Sequence, residues 1–269
     1  VVIKTSGDLI QDRPLSEVGG KGLFTKEIEE ALAGGRVDCA VHSMKDVATI
    51  LPEGLEIPCL LEREDVRDAF LSPFADSIAA LPAGAVVGTS SLRRQAQVRA
   101  MRRDLQVVNF RGNVETRLRK LSEGVAAATF LAFAGLKRLG REAVATRLMA
   151  IDEMLPAVAQ GAIGIEIRSA DGRTRELLRP LGHEPTRAAV TAERAFLRRL
   201  DGSCRTPIAG HVRFSGGEVR FDGEILTPDG ATTHRTTRRG TAADAVAMAV
   251  DAAEELLGRA GPEFFRTPG

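Results

Sequence analysis

Residues 85–94 read Ala85-Val86-Val87-Gly88-Thr89-Ser90-Ser91-Leu92-Arg93-Arg94. An apolar strand pattern ends at a glycine, three hydroxyl side chains follow, and a helical segment begins with Leu92. A strand that leads directly into a helix is the repeating unit of α/β proteins. The free backbone N–H groups at such a helix start, together with the hydroxyls, favour an anion. We therefore expect an α/β fold with an anion site at this turn.

The same alternation extends to both sides of this stretch. Short apolar runs predict strands at 37–41, 105–110, 126–132 and 163–167. A helix is predicted where Phe24, Ile28 and Leu32 form one apolar stripe, which Gly34-Gly35 ends. Strands that alternate with helices are typical of α/β units, so we expect largely parallel sheets.

The C-terminal third has a different pattern. A long helix at 186–200 is followed by a loop rich in Gly, Ser and Pro. Two strands are predicted at 218–226 and 231–238, joined by the turn Pro228-Asp229-Gly230. A last helix at 242–257 has alanines on one face. This order predicts a small α+β C-terminal domain.

Composition excludes several classes of protein. The 269 residues carry 37 Lys+Arg against 36 Asp+Glu, which argues against a globally basic nucleic-acid binder. The chain has no Trp, no Tyr and 11 Phe, a poor set for stacking bases. No apolar run is long enough to span a membrane, and no Cys/His pair has metal-ligand spacing. Three distant cysteines do not form a disulfide framework, which is typical of a reducing compartment, so we expect a cytoplasmic protein.

Basic residues are concentrated between Arg93 and Lys120, where nine of them stand against two acids. Two arginines in the first turn of a helix oppose its dipole unless an anion lies there. Arg111 follows the next predicted strand in the same way, and Arg117 lies about one turn further on. Because strand ends meet at one crevice, we expect these arginines to converge on a ligand with several acidic groups. The alternative from spacing alone is a solvated basic face.

Two further residues suggest chemistry. Asp46 ends the segment His42-Ser43-Met44-Lys45-Asp46, which follows the predicted strand 37–41. It is either a surface ion pair with Lys45 or a carboxylate that stabilises positive charge on a substrate. Cys204 lies in a loop beside Arg205, with His211 nearby, and a cationic setting lowers a thiol pKa and favours covalent use. The alternative is an inert loop cysteine.

The remaining features are structural expectations. Cys39 and Cys59 lie in apolar patterns and are expected to be buried. We interpret the charge run 62–68 as a solvated loop. This run and the segment 155–161, which contains Pro and Gly, are both predicted to be hinges.

Several of these segments, in this order, resemble the porphobilinogen deaminase (hydroxymethylbilane synthase) family. The matching stretches span nearly the whole chain: residues 18–27, 38–47, 88–95, 110–118, 134–139, 155–161 and 202–211.

The resemblance implies an α/β architecture of two domains similar to the type II periplasmic-binding-protein fold, with the active site between them, and a small α+β C-terminal domain. Domain 1 is expected at 1–62 and 162–179, domain 2 at 67–155 and domain 3 at 184–269. The family's opening strand and helix, with an Arg-x-Ser segment, have no counterpart in this sequence, so domain 1 is expected to lack them.

The resemblance also implies an activity. A transferase of this family joins four porphobilinogen molecules head to tail, with loss of ammonia, on a covalent dipyrromethane cofactor, and then releases hydroxymethylbilane. The cofactor thioether falls on Cys204, and Asp46 matches the catalytic aspartate. A cytoplasmic monomer with a small-molecule substrate, without nucleic-acid, membrane or metal partners, is expected.

The other site residues follow by the same resemblance. Cofactor contacts are expected from Lys45, Thr89, Ser91, Arg93, Arg94, Arg111, Arg117 and Gln160. Substrate contacts are expected from Arg138, Lys21, Phe24, Arg93, Arg111 and Arg117. Residues 6–20 match a mobile loop over the site, and Ala159 stands where the family usually has glycine. The alternatives are an anion-binding type II solute- or effector-binding module and an inactive truncated remnant.

Overall fold

The structure is a computed structural model, and it describes residues 1–3, 5, 25–202, 206–261 and 263–265. Within these residues, eleven strands form three sheets. The strands are β1 (Ala40–Ser43), β2 (Leu55–Leu60), β3 (Asp68–Leu71), β4 (Val86–Gly88), β5 (Gln106–Val108), β6 (Ala128–Ala132), β7 (Arg147–Leu148), β8 (Ile163–Arg168), β9 (Ile208–Ser215), β10 (Glu218–Leu226) and β11 (Thr233–Gly240). The helices are α1 (Lys26–Ala33), α2 (Leu92–Met101), α3 (Val114–Ser122), α4 (Phe133–Arg138), α5 (Gly172–Leu178), α6 (Glu184–Arg199) and α7 (Ala245–Ala260).

The first sheet joins the two ends of the α/β part of the chain. Its order is β1-β8-β2, and β8 pairs antiparallel with both neighbours. Leu32 on α1 packs against Ala40 and Leu55 beneath it. The chain leaves this sheet after β2 and returns to it only at β8, so two crossing segments, 61–67 and 149–162, connect it to the second sheet.

The second sheet has the order β5-β4-β6-β3-β7. Its strand β4 pairs parallel with β5 and β6, whereas β3 pairs antiparallel with β6 and β7. Phe70 and Phe130 are fully buried at its centre, with ring centroids 5.5 Å apart. Helices α2 and α3 begin after β4 and β5, so both helix starts lie at the same edge of the sheet.

The C-terminal unit is a three-stranded antiparallel sheet, β11-β10-β9, covered by α6 and α7. Alanines of α7 form its buried face, as predicted: Ala245, Ala249, Ala252 and Ala253. Phe196 of α6 packs edge-on against Phe221 of β10, with centroids 4.9 Å apart. The predicted turn connects β10 to β11, with Gly230 in the left-handed region at φ 70°. The α/β class with a small α+β C-terminal domain is confirmed.

Three expectations were wrong. The sheets are not largely parallel: among the described strands, only the two pairs made by β4 are parallel. Strands β3 and β8 each follow a crossing segment, and both pair antiparallel with their neighbours. Cys39 is exposed, since β1 begins only at Ala40, whereas Cys59 is buried as expected. The charge run 62–68 is not a solvated loop. Arg63 pairs with Glu193 and Asp68 pairs with Arg93, and both carboxylates are fully buried. The domain bounds stay a prediction.

A buried carboxylate joins the C-terminal unit to the crossing segments. Glu193 of α6 is fully buried and accepts from both terminal nitrogens of Arg63, at 2.6 and 2.9 Å. It also accepts from the backbone N–H groups of Ala159 and Val212, at 2.7 and 2.9 Å, and contacts His211 Nδ1 at 3.1 Å. Burial alone would raise the pKa of Glu193, but Arg63 and His211 lower it to about 2.

The ionisation of Glu193 therefore makes the free energy of unfolding depend on pH. Because the folded pKa lies below its ordinary value of 4.5, this stabilisation is complete above about pH 5 and is lost as the pH falls toward 2. The free energy of unfolding should decrease by about 3 kcal/mol from this group over that range. Urea unfolding at several pH values measures it.

In Glu193→Gln, the free energy of unfolding should be lower at pH 7 and should depend less on pH below 5. Glu176→Gln is the control, because Glu176 is exposed and pairs with Arg179 at 3.4 Å on the surface. Equal pH profiles for wild type and Glu193→Gln would contradict the assignment.

Candidate functional site

An open pocket of about 200 Å³ lies where the first sheet, the second sheet and the C-terminal unit meet. One side is polar and is lined by Lys45, Asp46, Ser90, Ser91, Arg93, Arg94, Arg117 and Gln160. The other side is largely apolar and is lined by Ala157, Val158, Leu197, Thr206 and Ile208.

The turn that carries Lys45 and Asp46 is held in place by the buried residue Met44. It is a short 3₁₀ segment, Met44–Asp46, directly after β1. The Met44 side chain is buried, and its backbone N–H donates to the Ala162 carbonyl at 3.0 Å. A Cβ at Gly164 of β8 would overlap the Met44 sulfur, so glycine is required there. With Met44 held inside, Asp46 is exposed and lines the pocket.

The start of α2 is built by the hydroxyl residues that precede it. Ser91 is the N-cap, and its Oγ accepts from the Arg94 backbone N–H at 3.4 Å. Thr89 is buried and supports the turn, because its Oγ1 accepts from the Ser91 N–H at 3.2 Å. Gly88 allows the Phe110 ring to pack against the strand end, where a Cβ would lie 2.5 Å from the ring.

A fully buried carboxylate, Asp68 at the start of β3, holds both arginines of the first turn of α2. Its Oδ2 accepts from Arg93 Nη2 at 2.7 Å, and its Oδ1 accepts from Arg94 Nη2 at 2.7 Å. Gln160 Nε2 donates to Oδ1 at 3.0 Å. Burial alone would raise the pKa of Asp68, but the two guanidinium groups lower it to about 2.

Asp68 supplies an anion at the start of α2 from within the protein. Contacts from Arg93 and Arg94 to an acidic ligand stay a prediction. Arg93 and Arg94 are buried and also donate to the carbonyls of Leu155 and Phe130, each at 2.9 Å. Sequence reasoning missed Asp68 because it closes a charge run. The available signal was its place directly before the apolar residues 69–71.

Positive charge remains on the polar side of the pocket after this pairing. Burial lowers the pKa of Lys45, Arg94 and Arg117 lower it further, and Asp46 opposes them. Burial likewise lowers the pKa of Arg117 to about 10, with contributions from Arg94 and Arg111. Cations whose charged forms are disfavoured gain free energy when an anion binds beside them. This side of the pocket is therefore suited to a ligand with carboxylates.

The structure brings together most of the predicted site residues. Those that line the pocket are Asp46, Lys45, Ser91, Arg93, Arg94, Arg117 and Gln160. Thr89, Arg111 and Arg138 lie behind or beside the lining, and exposed Arg138 donates from Nη2 to the Gly161 carbonyl at 2.7 Å. Lys21, Phe24 and Cys204, and the loop 6–20, lie outside the described residues.

Ser90, one of the three hydroxyl residues expected at the anion turn, also lines the pocket. The apolar side formed by Val158, Leu197 and Ile208 was not predicted. His211 is buried, with its Nδ1 3.1 Å from Glu193 Oε1, and its expected proximity to Cys204 stays a prediction because Cys204 lies outside the described residues. His42 pairs with buried Glu166 at 2.8 Å between β1 and β8 and does not line the pocket.

In the part of the chain that the structure describes, no group of three or more His, Cys, Asp or Glu residues could hold a metal ion. None of the helices described is long and apolar enough to cross a membrane.

Comparison with known proteins gives matches along almost the whole chain. Residues 1–176 match the family model described as "Porphobilinogen deaminase, dipyromethane cofactor binding domain", and residues 187–258 match "Porphobilinogen deaminase, C-terminal domain". Porphobilinogen deaminase of Paracoccus denitrificans is 60% identical over 265 residues, which is 98% of this chain and 85% of that protein. The chloroplastic porphobilinogen deaminase of Pisum sativum is 58% identical over 271 residues, 99% of this chain and 73% of that protein. Among solved structures, the methionine binding protein MetQ covers 59% of this chain and 75% of its own, with 12% identity and a TM-score of 0.41.

Asp68→Asn should strongly destabilise the protein. It leaves two buried guanidinium groups facing a neutral amide, and removal of one partner from such a pair costs about 3–5 kcal/mol. Urea unfolding at pH 7 measures the change. Asp104→Asn is the matched control, because Asp104 forms its 2.7 Å pair with Arg102 at the surface, where loss of an exposed ion pair has little effect on stability. Equal losses in the two variants would contradict the assigned role of Asp68.

Proposed function

The chain belongs to the porphobilinogen deaminase family, and from this premise we propose that it catalyses the head-to-tail condensation of four porphobilinogen molecules. Each addition releases ammonia, and hydrolysis then frees hydroxymethylbilane, so the enzyme is a transferase. We further propose that it acts as a cytoplasmic monomer. The observation that carries the proposal is a pocket in which one exposed carboxylate, Asp46, faces several cations and an apolar side.

The pocket residues fit a dipyrromethane cofactor. Arg93 Nε is buried and has no hydrogen-bond partner among the described residues, so a donor is available in the pocket lining. Lys45 and Arg117 add cations for acidic side chains, and Val158 and Ile208 offer an apolar surface for flat rings. Thr206, two residues after Cys204, lines the same pocket, which supports Cys204 as the point of attachment. When bound, the cofactor supplies the pyrrole carbon to which the first substrate is joined.

Asp46 is proposed as the catalytic residue. When the C–N bond of porphobilinogen breaks and ammonia leaves, positive charge develops on the conjugated pyrrole. A fixed carboxylate near the pyrrole N–H stabilises that charge more in the transition state than in the ground state, which lowers the barrier. Lys45 lies next to Asp46 in the pocket lining.

The cations bind the acetate and propionate groups in this proposal. Arg117 and Lys45 are the foremost candidates, since their pKa values are lowered by burial and a bound carboxylate would reverse that effect. Ser91 and Thr89 shape the turn against which the ligand lies, and Gln160 lines the pocket from the second crossing segment. Arg111 and Arg138 are proposed as further contacts as the ligand lengthens.

The alternative of an anion-binding solute or effector module is not favoured. It would account for the cations, but it assigns no role to the C-terminal unit, and residues 187–258 match the C-terminal domain of the same enzyme family.

Asp46→Asn should reduce turnover of porphobilinogen by about 100-fold or more, the loss typical of removing one preorganised electrostatic group. Colorimetric assay of product gives the rate, and intact mass shows whether partly elongated chains stay attached. Asp76→Asn, an exposed aspartate in a loop, is the control. Turnover of Asp46→Asn close to that of the wild type would exclude the catalytic role.

Incubation with porphobilinogen should add the mass of a dipyrromethane to the wild-type chain, and peptide mapping should place it on Cys204. Cys39→Ser should take up the same mass, because Cys39 is exposed outside the pocket. Cys204→Ser should remain unmodified. A folded wild-type protein without the added mass would contradict the proposed function.

A further inference from the structure

Arg93 is held on two sides, and only one of them is the Asp68 pair. One turn further along α2, Gln97 is buried, and its Oε1 accepts from Arg93 Nη1 at 2.8 Å. Its Nε2 donates to Glu224 Oε2 at 2.6 Å and to the Leu155 carbonyl at 3.0 Å. These acceptors fix which end of the amide faces Arg93. The Gln97 side chain thus connects a pocket residue to the C-terminal unit.

Glu224 lies on β10 and is itself almost fully buried, at 1% exposure. Its second oxygen, Oε1, accepts from Arg235 Nε at 2.5 Å, and Arg235 Nη1 donates to the Asp152 carbonyl at 2.9 Å. A continuous series of hydrogen bonds therefore runs from the half-exposed Arg235 through Glu224 and Gln97 to Arg93. Two hydrogen bonds, through the Gln97 amide, therefore connect Glu224 to Arg93 in the pocket lining.

The charges along this series also compensate one another. Arg93 and Arg94 bring two buried positive charges to one place, and Asp68 supplies a single negative charge. Glu224 is a second carboxylate close to the same group. Burial lowers the pKa of Arg93, and both Asp68 and Glu224 act against that effect. Uncompensated buried charge is strongly unfavourable, so Glu224 stabilises the charged form of Arg93.

The hairpin that carries Glu224 is also fixed to α2 at a second point. Its turn packs so closely that a Cβ on Gly230 would lie 2.5 Å from the Ala96 carbonyl oxygen. Arg99 Nη1 donates to the Pro228 carbonyl at 2.9 Å. Because β10 and its turn contact successive turns of α2, the position of Glu224 relative to Gln97 is determined by backbone contacts.

We propose that Glu224 is a positioning residue for the pocket: by fixing the Gln97 amide, it holds the Arg93 guanidinium against Asp68 in one orientation. The C-terminal unit thereby shapes the arginine side of the pocket as well as carrying the Cys204 loop. Without the Glu224 carboxylate, Gln97 Nε2 keeps only the Leu155 carbonyl as an acceptor, so the amide is held less firmly and the hydrogen bond from Arg93 Nη1 to Gln97 Oε1 weakens. The proposal concerns the geometry of Arg93, and only its kinetic consequence rests on the proposed function.

The first test observes Arg93 directly, by arginine side-chain NMR of the full chain. A guanidinium held by several acceptors gives separate Nη–H signals, and these average when it rotates freely. In Glu224→Leu the Arg93 Nη1–H signals should shift and exchange faster, because the Gln97 acceptor is weakened while the Leu155 carbonyl and Asp68 remain. Glu224→Gln, which keeps an acceptor oxygen of the same shape, should leave these signals as in the wild type. Asp222→Leu is the matched control, because Asp222 lies on the same face of β10 and accepts from Arg213 and Arg220 rather than from α2.

Unchanged Arg93 Nη1–H signals in Glu224→Leu would overturn the proposal, and so would an equal change in Asp222→Leu. If Glu224→Leu does not fold, Gln97→Met removes the same bridge from the helix side. Unchanged Arg93 Nη1–H signals in a folded Gln97→Met protein would then overturn the proposal, and shifted, faster-exchanging signals would support it.

The second test is kinetic. Glu224→Leu should raise KM for porphobilinogen about tenfold and leave kcat within about threefold, because it removes an interaction that binds substrate and transition state alike. Glu224→Gln should restore KM, and Asp222→Leu should leave it unchanged even if it unfolds at a lower temperature. An unchanged KM in folded Glu224→Leu would overturn the positioning role. If the wild type shows no turnover, the proposed function fails, while the NMR result still decides the position of Arg93.

Discussion

The pairing of Asp68 with two arginines is the constraint on which the rest of the structure depends. A buried carboxylate is stable only when cations and hydrogen-bond donors surround it, and its partners here come from different segments. Arg93 and Arg94 belong to α2, and Gln160 belongs to the second crossing segment. The three segments can satisfy Asp68 only in one mutual arrangement. That arrangement directs the start of α2, with Ser90 and Ser91, toward the pocket.

Gln160 connects the buried Asp68 ion pairs to a second buried centre, the Arg63–Glu193 ion pair. Its side chain donates to Asp68, and its carbonyl accepts from Arg63 Nε at 2.9 Å, while Arg63 pairs with Glu193 of the C-terminal unit. Between the two centres, Ala159 adopts φ 60°, a left-handed conformation that costs a non-glycine residue about 1–2 kcal/mol. The hydrogen bond from its N–H to Glu193 offsets that strain. The pocket wall at 157–160 is therefore held from both sides.

Local patterns predicted the elements whose neighbours lie close in sequence. Strand β10 has the predicted bounds, the turn at Gly230 joins it to β11, and the alanine face of α7 is buried. Strand β9 was missed, because Gly210 and His211 interrupt its apolar pattern. The roles of Asp68 and Arg63 were also missed, because their partners lie 25 and 130 positions away. No local periodicity records such pairs. The site residues on helix starts were easier to find, since strand–helix turns are visible in the sequence.

A count of basic residues overstates the charge available to a ligand. Of the arginines between 93 and 120, Arg93 and Arg94 pair with Asp68, while Arg102 and Arg119 pair with Asp104 and Glu123. Lys45, from a different strand end, contributes instead, together with Arg117. Internal pairing leaves a few cations beside Asp46, and in the proposed function these cations hold the acidic groups of the ligand while Asp46 faces its pyrrole rings. Anion recognition and stabilisation of positive charge can coexist in one pocket because the buried arginines are compensated from within the protein.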